Sequence, residues 1–353
     1  MPSTQTKLSL VDTLDLIPGL ASILTAGLVS VVTGLFRGHK DAPSFHLHVA
    51  YAILRRATAR LTPLQLQFVS PLTNVVYEHY ARSASVRPDT VALDAGAYGH
   101  WVGSRDAENV LIWYHGGGFC LPANKAYFDF LQHLVTCSRA SSQDLAIFVL
   151  TYSLAPAANH PTQLKQAVSA LRHVLASRAP SNVLLGGDSA GGNLVMGVLS
   201  HLAHRHEAIP ALEVAEPLAG AVCIAPWTLL GEDHSQREIY EGGDLITPGV
   251  DGPWSAAFLG GADKDFFTSV STAPRSWLAA FPVRRMLILG GGNEIMLPAI
   301  EELAENLKAV LPNVEFFVGY REAHVAPIYN LYVGDSTETQ QGKKLKAWLR
   351  ETL

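Results

Sequence analysis

Ser189 stands at the centre of Gly187-Asp188-Ser189-Ala190-Gly191, a G-x-S-x-G run in which a sharp strand-to-helix turn lifts a serine hydroxyl clear of its backbone. Glycine at both ends is a steric need, because side chains there would collide with the neighbouring strand and helix. Upstream, His115-Gly116-Gly117-Gly118 can aim backbone N–H groups at a developing oxyanion. One run offers a nucleophile and the other charge stabilisation, a pairing that implies acyl transfer to water. A serine nucleophile also needs a base and a group to orient that base. Glu294 and His324 follow Ser189 in the order nucleophile, acid, base. Glu322 is a rival acid, but two residues before the base on one turn is poor geometry.

These residues need elements that bring them together. Residues 110–114 and 182–187 read as short apolar strands suited to a buried parallel sheet. Residues 190–203 read as a helix, with Leu194, Val195, Val198, Leu199 and Leu202 spaced for one face. Further strands are expected at 219–225, 286–289 and 314–318, with a helix over 297–310. Ser189, Glu294 and His324 then each follow the carboxyl end of a strand, where open α/β sheets place their sites. One helix and one strand separate Glu294 from His324, which returns the chain to the same sheet edge. Gly290 to Gly292 lacks the lysine of a phosphate loop and is read as the loop carrying Glu294.

At this point the sequence resembles the hormone-sensitive-lipase-like family of α/β-hydrolases, a group of carboxylesterases and deacetylases. Residues 115–119 match its H-G-G-G-F loop, and 187–193 match its G-D-S-A-G-G-N elbow without a change. A third signature, Y-R-L-A-P-E, appears as Tyr152-Ser153-Leu154-Ala155-Pro156-Ala157, so the contacts of the usual arginine and glutamate are absent or rerouted. Glu294 stands where the family more often has aspartate. The resemblance covers roughly residues 108 to 330. It implies an α/β-hydrolase fold: a mostly parallel central sheet flanked by helices, capped by N-terminal helices and an insertion near 228–280. His324 is expected to take the proton of Ser189 while Glu294 holds the imidazole tautomer. The oxyanion is expected between the N–H groups of Ala190, Gly116 and Gly117. His115, Gly118, Gly187, Asp188 and Gly191 are expected to shape the two loops, Asp188 as a hydrogen-bond acceptor in the elbow.

Composition bounds the class. The chain has 353 residues, 48% hydrophobic and 16% charged, enough to bury a large core and too apolar for disorder. Net charge is −5 with no basic run, which argues against nucleic acid. Three scattered cysteines form no disulfide framework, so an intracellular, reducing setting is expected. His201, His204 and His206 have no carboxylate at ligand spacing, and neither metal nor organic cofactor is expected. We expect residues 1–100 to hold a hydrophobic segment and cap helices, and 101–353 the catalytic domain. Trp227, Trp254, Phe258, Phe266, Phe267 and Trp277 punctuate the cap insertion and could line an apolar pocket or simply pack the lid.

Residues 16–36 hold no charge, long enough for a membrane span. Asp12 and Asp15 with only Lys7 before them make a poor signal peptide. Ser22, Ala26, Ser30 and Gly34 form a small-residue stripe of the kind membrane helices use for close packing. Pro18, Gly19 and several Ser and Thr dilute the apolar run, so a cap helix touching a membrane surface is the other reading. If the segment spans, Arg37, Lys40, Arg55 and Arg56 would keep the catalytic domain cytosolic. The expected activity is hydrolysis of a short-chain ester, acetyl first, of a hydrophobic alcohol such as a sterol or secondary metabolite. Acyl transfer, amide hydrolysis and a non-catalytic ligand receptor on the same scaffold are the alternatives. The expected partner is a small hydrophobic ester, on a cytoplasmic or membrane-associated protein of undetermined oligomeric state.

Overall fold

Strands that are apolar on both faces can be satisfied only between two helical layers, and the central strands here are of that kind. The computed structural model describes residues 6–231 and 243–353. Four helices lead the chain: α1 (Leu10–Thr33), α2 (Phe45–Arg60), α3 (Pro63–Val69) and α4 (Thr73–Ser83). The sheet opens with β1 (Thr90–Ala92) and β2 (Tyr98–Val102), then β3 (Asn109–Tyr114), α5 (Lys125–Ala140) and β4 (Leu145–Thr151). Next come α6 (Thr162–Leu175), β5 (Val183–Asp188), α7 (Ala190–His204) and β6 (Gly220–Ile224). After α8 (Pro248–Leu259) and α9 (Arg275–Leu278) the alternation resumes with β7 (Met286–Gly291), α10 (Leu297–Lys308), β8 (Val314–Gly319), α11 (Ala326–Tyr332) and α12 (Gln340–Thr352). Residues 232–242 of the expected cap insertion lie outside the described residues.

The strand order is β1-β2-β4-β3-β5-β6-β7-β8, parallel from β4 to β8, with β1 and β2 antiparallel at one edge. Along β3, Val110, Ile112 and Tyr114 face one core with α6 and α7, while Leu111 and Trp113 face another with α5 and α12. Each such side chain fully withdrawn from water is worth about 1.5–3 kcal/mol. The sheet thus starts at Thr90, ahead of the boundary expected at 101. The lone strands β1 and β2 lack a hydrophobic run long enough to announce themselves.

β3 lies between β4 and β5, so the winding direction reverses there and leaves a crevice at the carboxyl ends of the strands. α1 starts earlier than the uncharged segment, at Leu10, because the Ser9 hydroxyl caps it by accepting from the Asp12 N–H. It packs antiparallel along α2. The Asp15 carboxylate pairs both oxygens with the Arg60 guanidinium at 2.6 and 2.9 Å, tying one end.

Candidate active site

The elbow forms as its glycines require. Ser189 sits between β5 and α7 at φ 49, ψ −118, a strained conformation held by its neighbours. Its N–H donates to Ile224 O at 2.9 Å, and its carbonyl accepts from Asn193 and Trp227. A Cβ on Gly191 would overlap Tyr114 O, and one on Gly187 would overlap the Gly191 carbonyl. Only glycine lets the helix sit that close to β3.

Glu294 and His324 follow β7 and β8, and both are buried. The His324 Nδ1–H donates to Glu294 Oε2 at 3.2 Å. His324 Nε2 has no hydrogen-bond partner among the described residues. Ser189 and His324 line one cavity. Burial pushes His324 below its ordinary value, so the imidazole rests neutral. The carboxylates of Asp244 and Asp188 oppose the fall at His324 and favour its protonated form. Glu322 plays no part in orienting the base. Its carboxylate accepts the Gln340 and Gln341 N–H groups at the start of α12.

The glycine loop departs from expectation at Gly116. Its N–H donates to Asp188 Oδ1 at 3.1 Å and also lies 3.1 Å from the Tyr127 hydroxyl, so it is already committed. Gly117 and Gly118, not Gly116, face the cavity beside Ser189. Asp188 also accepts from Tyr127 OH at 2.7 Å and Trp113 Nε1 at 3.2 Å. It is the expected elbow acceptor, and burial raises its carboxyl to about 7 against those hydrogen bonds. Ala190 opens α7, where a first-turn N–H has no partner inside the helix. His115 shapes the loop: its Nδ1–H donates to Gly116 O, its ring stacks on Tyr152 at 4.2 Å, and Tyr152 OH donates to His115 O. Burial pushes the His115 imidazole down to about 4. The Ser153 substitution is absorbed by Gln166, which accepts the Ser153 N–H and donates to its hydroxyl.

Sequence reasoning missed Asp244. Its carboxylate is fully buried and accepts three N–H groups: His324 at 2.9 Å, Ile295 at 3.0 Å and Leu245 at 2.7 Å. It therefore ties the loop of the acid to the loop of the base. No spacing rule links Gly243-Asp244-Leu245 to residues so far along the chain; an aspartate followed at once by Leu245 and Ile246 is the one signal it leaves.

The cavity holds about 700 Å³. Gly117, Gly118, Ser189 and His324 line it, together with Trp227, Leu245 and Trp254 and with Leu20, Ile23 and Ile53 from α1 and α2. Of the six aromatics expected in the cap, Trp227 and Trp254 line it. Phe258 stacks on Phe119 at 3.6 Å, and Trp277 stacks on His204 at 3.7 Å with Phe266 and Phe267 at its edges. His201 and His204 bond to the carbonyls of Pro210 and Trp277. Among the described residues, His160, His206 and Asp265 alone bring ligand atoms within 4.8 Å of one another. His206 Nδ1 accepts the Ala208 N–H, which leaves the proton of a neutral ring on Nε2 and ill suits metal ligation there.

The comparisons with known proteins agree with this architecture. Over 137 residues the chain is 30% identical to steryl acetyl hydrolase 1 of Saccharomyces cerevisiae, covering 38% of this chain and 30% of that protein. Over 161 residues it is 29% identical to an acetyl-hydrolase of Streptomyces hygroscopicus, covering 44% of this chain and 50% of that one. The chain thus spans half or less of the length of these two relatives. A solved esterase of the bacterial hormone-sensitive lipase family superposes with TM-score 0.63 at 23% identity, over 88% of this chain and 99% of that one, a likeness of fold. Residues 111–327 match the family described as the alpha/beta hydrolase fold. That match takes in more than half of the chain and every loop of the site just described, and the protein belongs to the α/β-hydrolase family.

Proposed function

We propose that this protein is a serine carboxylesterase that removes a short acyl group, acetyl first, from a hydrophobic alcohol of sterol or secondary-metabolite type. The observation that carries the reading is the buried His324, bonded to Glu294 through Nδ1 and with its Nε2 unpartnered among the described residues, in the cavity that holds Ser189. A neutral imidazole oriented in this way is a general base. Ser189 Oγ attacks the ester carbonyl carbon as His324 Nε2 takes its proton. The alcohol leaves with that proton, and water repeats the sequence on the acyl-serine. Glu294 holds the tautomer and favours the imidazolium as it forms. The oxyanion is received by the N–H groups of Gly117, Gly118 and Ala190, each such donor being worth about 3 kcal/mol in the transition state. Trp227 and Trp254 add apolar lining suited to a hydrophobic substrate. The names of the two acetyl hydrolases support the acetyl choice.

The test is p-nitrophenyl acetate turnover by the wild type and Ser189→Ala. The expected loss is roughly 10⁴-fold or more, with the fold intact. Turnover retained in the variant would overturn the assignment of Ser189. A wild type that neither turns over the ester nor is labelled by a fluorophosphonate would make the protein a ligand receptor.

A further inference from the structure

α1 turns its small residues inward and its large ones out. Gly19 lies on Leu61, Gly27 on Ile53 and Gly34 on Phe45, which runs the helix antiparallel along the whole of α2. Leu10, Leu14, Ile17, Leu24, Leu28 and Leu35 are each more than half exposed. With the exposed valines between them they cover about half of the helix circumference at 3.6 residues per turn. Single exposed leucines are ordinary, but a contiguous row of this length marks an interaction surface. By length and composition α1 could cross a membrane. Its seat on α2 argues for another placement, because α2 carries Arg55, Arg56 and Arg60. Crossing would strip α1 from its partner or draw those cations into hydrocarbon, where each is costly.

We infer that α1 lies in the plane of an anionic lipid surface, its outer face among the acyl chains, so that a bilayer-dissolved ester passes along it into the cavity. Three observations choose lipid over a second protein chain. The apolar face is wider than the seam one partner helix would fill, and no charged residue from 16 to 36 borders it as the flanks of a coiled coil require. Charge is complementary: residues 1–60 hold six Lys and Arg against three Asp, in a chain of net charge −5. The face also runs into the cavity. Leu20 belongs to both, half exposed and lining the wall, and Ile53, Val69 and Val75 are exposed cavity-wall residues beside it.

The surface part stands apart from the proposed reaction, whereas the delivery part rests on it, so two readouts are needed. The full chain is floated with vesicles of phosphatidylcholine alone or with 30% phosphatidylserine (roughly the anionic content used for such surfaces). Expected are enrichment on the anionic vesicles of about tenfold, its reduction by salt, and its loss in Leu24→Glu/Leu28→Glu, whose side chains line no part of the cavity. The double variant should keep p-nitrophenyl acetate turnover within about twofold while losing about tenfold on an acetate ester dissolved in the vesicles. No wild-type binding, equal binding by the variant, resistance to alkaline extraction typical of a span, or a dimer dissolved by the same substitutions would each overturn the surface. Binding without any advantage on the dissolved ester would overturn the delivery. Loss of p-nitrophenyl acetate turnover in Ser189→Ala bears on the reaction alone.

Discussion

His324 is the residue on which the site's pH response turns. In the proposed reaction it acts as a base only when neutral, and burial sets its pKa below the ordinary 6.5. Activity should therefore be full above neutrality and fall as pH drops through a value below 6.5. Asp244 lifts that value, since its carboxylate favours the imidazolium while holding the His324 N–H. Asp244→Asn removes the charge at nearly constant shape, so the acid limb should move down by up to about one pH unit. We expect kcat to fall about tenfold with KM little changed, because the imidazolium forms only as the reaction proceeds. An unmoved limb in the pH profile would reduce Asp244 to a structural tie. At this scale the sequence was partly legible. That His324 meets Glu294 and shares a cavity with Ser189 could be read from motif and order, because chain order survives folding. Gly116 misled because its N–H is claimed by Asp188 and Tyr127, and Tyr127 reaches it from α5, a tertiary contact that no local pattern encodes.

Elements were legible where burial is complete. β3, β5 and β7 read directly as uninterrupted apolar runs, and α7 reads as a helix that is buried through most of its length. Short edge strands such as β1 carry too little hydrophobicity to be seen. The elbow is the joint between β5 and α7, and its tolerance is set by backbone rather than side chains. In Gly191→Ala the new methyl meets Tyr114 O, which belongs to β3 and cannot swing aside. The substitution should cost about 3 kcal/mol or more. A lower urea midpoint at unchanged slope would report it; wild-type stability would mean the elbow can open at little cost.

The whole molecule places a cap over a sheet, and substrate choice belongs to the space between. Trp254 on α8 lies against Gly118 and lines the cavity that holds Ser189. In the proposed reaction, an indole pressed on the glycine loop would hold the acyl chain short. Trp254→Ala should raise the ratio of kcat/KM for a hexanoyl over an acetyl ester about tenfold. An unchanged ratio would put the acyl chain elsewhere in the cavity. Which wall receives the alcohol was not legible in the sequence, because four of the six cap aromatics that mark a pocket by type pack against neighbours instead.

The order of the site along the chain also sets a clock. At synthesis rates of about 5–20 residues per second, Ser189 leaves the ribosome roughly ten seconds before His324. During that interval the newborn chain carries Ser189 without His324 beside it and α1 already free of the tunnel, so the surface placement proposed for α1 would bring it to lipid before the proposed reaction has its base.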